Sequence, residues 1–173
     1  MTPASKHKLI VMRHAKSDWS APVASDFDRV LAKRGYKNAP RMGGWLAEQG
    51  LIPGLIVSSP AMRARQTAQL VAEKLEIPER DILWEPELYM ASLATLLSVI
   101  NKYVGRTGAL MLIGHNPGLD SLVKYLSDRR PDYHDGKLMT TAAVAVFDFG
   151  EGGITTNKQG ARLERLVRPK DLW

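Results

Sequence analysis

"KLIVMRHAKSDWS", residues 8–20, decides the reading of the fold. Leu9-Ile10-Val11-Met12 is an unbroken apolar run bounded by polar residues, the pattern of a parallel-sheet strand covered on both faces. Arg13, His14 and Lys16 follow at once. In open α/β sheets ligands gather beyond the carboxyl ends of such strands, so this basic, imidazole-bearing exit is a candidate binding edge. Over this stretch alone, a strand running out into a solvated basic loop would look the same.

Two further runs match the first. Leu55-Ile56-Val57 and Leu110-Met111-Leu112-Ile113 read as buried strands, and residues 142–149 (AAVAVFDF) and 163–167 as later ones. Helical patterns fall between them. Ser59-Pro60 offers an N-cap followed by proline at the first helical position, and Ala64, Ala68, Val71 and Leu75 then share one face. Asn116-Pro117 repeats that signal before Leu119, Leu122, Val123 and Leu126. Leu93, Leu96, Leu97 and Ile100 mark a helix preceded by Ser92. Residues 31–49 look helical too, but Pro40 and Gly43-Gly44 predict a late start, a kink or two short helices. Strands alternating with helices predict an α/β fold, a three-layer α/β/α sandwich around a mostly parallel sheet. A single domain spanning residues 1–173 accounts for the whole chain.

Parallel strands bring their ends to one edge. The first ends in Arg13-His14. The second ends in Ser58-Ser59-Pro60, with Arg63 and Arg65 in the opening of the next helix. The third ends in Gly114-His115-Asn116-Pro117, again entering a helix. Helix N-termini and arginine forks both suit anions. Imidazoles can donate to the same oxygens, or attack phosphorus from an unprotonated nitrogen. The convergent chemistry is a phosphoryl pocket. The pattern alone does not choose between Arg63 and Arg65, which lie about 200° apart around a helix. His7 and His134 stand in polar stretches outside it.

Composition narrows the function classes. Hydrophobic residues make up 45% and charged residues 24% of 173 residues, an ordinary globular balance. No apolar run approaches the roughly 18 residues needed to span a membrane, and residues 1–8 contain no hydrophobic segment, so a cytoplasmic protein is expected. The absence of cysteine excludes disulfides, thiolate metal sites and a cysteine nucleophile. The net charge of +6 suits anionic partners. Its densest cluster, residues 162–170, lacks interleaved aromatics for base stacking and reads as a solvated C-terminal face, so nucleic acid is not expected as a partner.

In order and spacing, "VMRHAKSDWS", "SSPAMRARQTA" and "GHNPG" resemble the histidine phosphatase, or phosphoglycerate-mutase-like, superfamily. The RHAKSDW form and the short chain resemble its phosphohistidine phosphatase (SixA) branch, as does "DFDRVLAKRG", residues 26–35. The resemblance spans roughly residues 8–149. It implies a phosphoglycerate-mutase-like fold and makes His14 the nucleophile, with Arg13, Arg63 and His115 forming the phosphate pocket. The family's serine-x-x-x-arginine-alanine pattern selects Arg63 over Arg65. Ser17, Ser20, Asn116 and Asp18 complete the candidate phosphate- or substrate-contacting set. Two departures stand out. Ala15 replaces the glycine of the broad family, as is common in this branch, and Ser20 stands where mutases carry asparagine.

The implied activity is hydrolysis of phosphohistidine through a covalent phosphohistidine on His14, with no cofactor and no metal. The implied partner is the phosphohistidine domain of a phosphorelay protein, with no membrane involved. A small-molecule phosphomonoesterase of the same superfamily is the nearest alternative. A non-catalytic phosphate- or nucleic-acid-binding module is a further one. Glu87, in "WEPELYMAS", matches the family's acid-bearing segment, and Asp18 is the second candidate for the leaving-group acid. Trp19, Tyr36 and Tyr89 are candidates either for lining an entrance or for packing.

Overall fold

The computed structural model describes residues 7–173, so most of the polar start lies outside the described residues. Six strands form one sheet: β1 (Lys8–Arg13), β2 (Leu55–Ser58), β3 (Ile82–Trp84), β4 (Ala109–Gly114), β5 (Val144–Asp148) and β6 (Arg162–Val167). Their spatial order is β3-β2-β4-β1-β5-β6. β1, β2, β3 and β4 pair parallel, whereas β5 is antiparallel to β1 and β6 antiparallel to β5, so that β5 alone runs against the rest. The helices are α1 (Lys33–Glu48), α2 (Met62–Lys74), α3 (Leu93–Tyr103), α4 (Gly118–Leu126) and the short α5 (Pro169–Leu172).

The apolar run at β1 is continuous because both of its faces are covered. Leu9 and Val11 join Val57, Leu110 and Leu112 under α3 and α4. Ile10 and Met12 join Ile56, Met111 and Ile113 under α1 and α2. Each such buried side chain contributes about 1.5–3 kcal/mol, and the resulting three layers hold the central strands rigidly in register. Among the described residues no helix is long and apolar enough to cross a membrane.

Three expectations change and one strand is added. α1 is one continuous helix with Pro40 inside it. Its buried face of Ala39, Met42, Trp45 and Leu46 outweighs the single lost hydrogen bond, and Gly43 lets the helix approach Val71, whose Cα would lie 3.0 Å from an added Cβ. α2 starts at Met62 rather than at Pro60, although the Ser59 hydroxyl still accepts from the Ala61 amide (3.2 Å) while also meeting His115 Nε2 (2.7 Å). β3 joins the sheet although its three residues carry no readable period. Arg168, assigned to a solvated face, is only 5% exposed; it donates from Nε to Leu138 O (3.0 Å) and from Nη2 to Asp132 O (2.7 Å).

Candidate active site

The strand exits are level. Pairing of β1 with β4 sets Arg13 beside Gly114, and pairing of β2 with β4 sets Ser58 beside Ile113. The pattern continues one residue further: the His14 amide donates to Gly114 O (3.1 Å) and the Ser59 amide to Ile113 O (3.0 Å). His14, Ser59 and His115 therefore leave the sheet together, and the two imidazole centroids lie 5.2 Å apart.

His14 is buried, and its Nδ1 donates to Ala15 O at 2.8 Å. A carbonyl only accepts, so the ring proton sits on Nδ1 and Nε2 carries a lone pair. Burial lowers the pKa to about 3, and the neighbouring His115, Arg13 and Arg63 push the same way. The ring is neutral at ordinary pH. His115 is buried as well, with its pKa lowered to about 4 by burial and then by Arg63. Its Nε2 lies 2.7 Å from Ser59 Oγ, whose oxygen also accepts from the Ala61 amide (3.2 Å). With Ser59 donating to Nε2, the His115 proton belongs on Nδ1.

Three guanidinium groups surround the pair. Arg13 donates from Nη1 to Met139 O (3.1 Å). Arg63 is 2% exposed and donates from Nη1 to Asp26 O (2.8 Å) and from Nη2 to Asp26 Oδ2 (3.0 Å). Arg29 bonds the Ser17 hydroxyl and pairs with Asp26 Oδ1 at 2.8 Å. Each arginine's Nε, and Nδ1 of His115, is a buried nitrogen without a partner in the protein. An unmatched buried donor costs about 1–3 kcal/mol. Four of them among the described residues, on side chains that are electrostatic neighbours, form a donor set suited to an oxyanion.

Thr67 joins the first exit to α2. Its Oγ1 accepts from the Ala15 amide (3.0 Å) and donates to Arg63 O (2.7 Å). Gly35 allows α1 to press on the same loop, since an added Cβ would lie 2.2 Å from Lys16 O. Arg65 points away from this cluster, with its guanidinium over the Trp84 ring at 4.4 Å.

The remaining candidates are placed differently. Ser17 is buried and bonded to Arg29. Ser20 is exposed and donates to Asp18 Oδ1 (2.6 Å). That hydroxyl and the Ser20 amide hold Asp18 below the usual carboxylate range, as an ionised residue of the turn. Asn116 has both ends engaged by backbone, donating to Met139 O (2.9 Å) and accepting from the Asp120 amide (3.1 Å). It shapes the loop. Glu87 lies exposed on a short 3₁₀ turn, Pro86–Leu88, and bonds to none of the described residues. Trp19 is 72% exposed beneath the Arg29 guanidinium (3.6 Å), and Tyr36 accepts from Gln66. Tyr89 packs edge-on against His115 at 5.5 Å, and its hydroxyl donates to Asp26 Oδ2 (2.7 Å).

Sequence reasoning missed Asp26, Arg29, Ser59 and Thr67 as site residues. Asp26 and Arg29 lie in the stretch "DFDRVLAKRG", where an acid three residues before an arginine was the available signal. Arg29, then Tyr89 and Arg63, hold the Asp26 carboxyl far below its ordinary range. Among the described residues, no group of three or more His, Asp or Glu side chains is gathered as a metal site.

Comparison with known proteins agrees with this geometry. Residues 9–88 match the model of the histidine phosphatase superfamily (branch 1). An uncharacterised chloroplastic protein of Arabidopsis thaliana is 30% identical over 94% of this chain and 78% of its own length. Phosphohistidine phosphatase SixA of Escherichia coli K12 is 29% identical over 84% of this chain and 88% of its own. The crystal structure of a SixA-type protein from Agrobacterium tumefaciens superposes with a TM-score of 0.76 at 29% identity, covering 95% of this chain and 99% of that one. Level strand exits, a neutral buried imidazole and these likenesses lead to one assignment: the chain belongs to the histidine phosphatase superfamily and is a phosphatase.

Proposed function

We propose that this protein hydrolyses phosphohistidine, through a covalent phosphohistidine on His14 and without a metal ion. One observation carries the choice of substrate. The carboxylate bonded into the cationic cluster, Asp26, is held as an anion, while Glu87 is exposed and Asp18 is tied to Ser20. An alkyl phosphate needs an acid to protonate its departing oxygen. A phosphorylated imidazole does not, because protonation of its other ring nitrogen already makes it a good leaving group.

In the first step, Nε2 of His14 attacks phosphorus in line as the substrate's P–N bond breaks. The proton stays on Nδ1, hydrogen-bonded to Ala15 O, so His14 becomes a phosphorylated imidazolium. Arg13, Arg63, Arg29 and His115 donate to the equatorial oxygens, the main requirement of phosphoryl transfer. The three guanidinium groups supply the charge a metal would otherwise bring, and neutral His115 adds a hydrogen bond. Water then attacks phosphorus, the bond pair returns to Nε2, and the water's proton leaves with phosphate or to solvent.

The relatives that bear the phosphohistidine phosphatase name support this substrate class. By the same reading the partner is a phosphohistidine domain of a phosphorelay protein, met in the cytoplasm. The test is kcat/KM across a phosphohistidine peptide, a phosphoserine peptide, sugar phosphates and nucleotides. The phosphohistidine peptide is expected to lead. A sugar phosphate or nucleotide in first place would overturn the assignment in favour of a small-molecule phosphomonoesterase.

A further inference from the structure

Asp26 joins the pocket to its mouth. Its Oδ1 accepts from Arg29 Nη2, and its Oδ2 accepts from Arg63 Nη2 and from the Tyr89 hydroxyl. An ionised carboxylate offers about four lone-pair sites, so these three donors leave one acceptor position open. The Asp26 side chain is 44% exposed, against 2% for the Arg63 side chain it holds. It therefore stands between the buried donors and solvent.

The unmatched buried polar atoms nearby, Nε of Arg13, Arg29 and Arg63 and Nδ1 of His115, are all nitrogens. With the His115 proton on Nδ1, all four are donors. Donors take the oxygens of a phosphoryl group. An acceptor at the rim takes an N–H carried by whatever the phosphoryl group is attached to. Together they sort substrates by the group that departs.

We propose that Asp26 sets leaving-group specificity: its carboxylate accepts a hydrogen bond from the far ring nitrogen of the substrate's phosphohistidine. This rests on the phosphohistidine reading given above. The substrate ring is bonded to phosphorus at one nitrogen, bears a proton at the other, and is positively charged. A carboxylate beside it favours that charged form. As the P–N bond breaks, its electron pair returns to the ring nitrogen, and the ring leaves as neutral imidazole with its far proton in place. His14 gains the phosphoryl group and the positive charge. No proton moves in this step, and Asp26 remains ionised throughout. A phosphorylated hydroxyl departs as an oxyanion with no N–H to offer, and a substrate carrying its own carboxylate is repelled.

The experiment measures kcat/KM for a phosphohistidine peptide and for p-nitrophenyl phosphate. The proteins are wild type, Asp26→Asn and Asp26→Ser, each checked for a wild-type circular dichroism spectrum. Aryl phosphate hydrolysis is expected to fall a few-fold, since Arg63 loses its ion-pair partner. Phosphohistidine hydrolysis is expected to fall about tenfold further, the effect of losing a hydrogen bond to a charged group. Equal losses on both substrates would overturn the proposal and leave Asp26 as a support for Arg63 alone. Wild-type turnover of the aryl phosphate without turnover of the phosphohistidine peptide would instead overturn the substrate reading, and this proposal with it. The serine variant decides the matter should the asparagine variant fail to fold.

Discussion

The imidazole rings of His14 and His115 lie 5.2 Å apart and tilted by 52°, each at the exit of a neighbouring parallel strand. Both are buried, and both are kept neutral by that burial, to about pH 3 and about pH 4 respectively. Two uncharged rings at one edge can divide the work. One offers a lone pair, and the other a proton.

The pH behaviour follows from these values. An ordinary histidine titrates near about 6.5. In the active protein His14 remains unprotonated well below that, so kcat/KM for an aryl phosphate, corrected for the substrate's own ionisation, is expected to show no fall centred near about 6.5. A stopped-flow or plate-based pH profile checks this. An acid limb centred at the ordinary histidine value would contradict the buried, neutral nucleophile.

Stability follows the same shifts with a definite sign. Between about pH 6.5 and about pH 4 the unfolded chain binds protons that folded His14 and His115 refuse. Stability is therefore lost as pH falls through this window. Urea midpoints measured across it are expected to drop, and to drop less for His14→Asn, which cannot titrate. An equal drop in both proteins would assign the acid sensitivity to other groups.

The two arginines of α2 separate by direction. Arg63 turns into the cluster and Arg65 lies over Trp84. Arg63→Ala is expected to lower kcat/KM by about a hundredfold or more, the scale of losing a transition-state donor. Arg65→Ala is expected to cost less than about tenfold. Comparable losses, with both proteins folded, would contradict the placement of Arg63.

Glu87 provides a contrasting case. It is exposed and bonds to none of the described residues, so Glu87→Gln is expected to leave hydrolysis of aryl and alkyl phosphates within about threefold of wild type. A selective loss on the alkyl phosphate would contradict this and identify Glu87 as the leaving-group acid.

Gly35 tests the packing beneath the loop. A Cβ there would sit 2.2 Å from Lys16 O, a backbone atom that cannot rotate aside. Gly35→Ala is expected to destabilise the protein by about 1–3 kcal/mol, the usual cost of overpacking. Denaturant titration reads it directly, and an unchanged midpoint would contradict the tight approach of α1.

What was legible in the sequence is what periodicity and strand ends encode. β1, β2 and β4 are continuous apolar runs because helices cover both faces, and their shared direction placed Arg13, His14, His115 and the pair Arg63 and Arg65 at one edge, while only the family resemblance selected Arg63. The helix after Ser92 was readable from its cap, which accepts from the Thr95 amide. β3 was not, since three residues cannot show a period. Continuity of α1 through Pro40 depends on tertiary packing that a local helix breaker conceals. Asp26 and Arg29 escaped for another reason. Their partners lie in distant segments, and Asp26 meets Arg63 and Tyr89 only after an irregular loop folds back over the strand exits.

The central claim is that His14 carries the phosphoryl group, and rapid-quench labelling tests it most directly. Turnover of a phosphorus-labelled substrate, stopped in alkali, is expected to leave acid-labile, base-stable label on the peptide containing His14. The reason is positional: a hydrogen bond to Ala15 O fixes the ring with Nε2 free, at the end of a rigid strand. His14→Ala is expected to lose both label and turnover, whereas His115→Ala slows turnover and retains trace label. Label found on His115, or full turnover by the His14→Ala protein, would contradict the account.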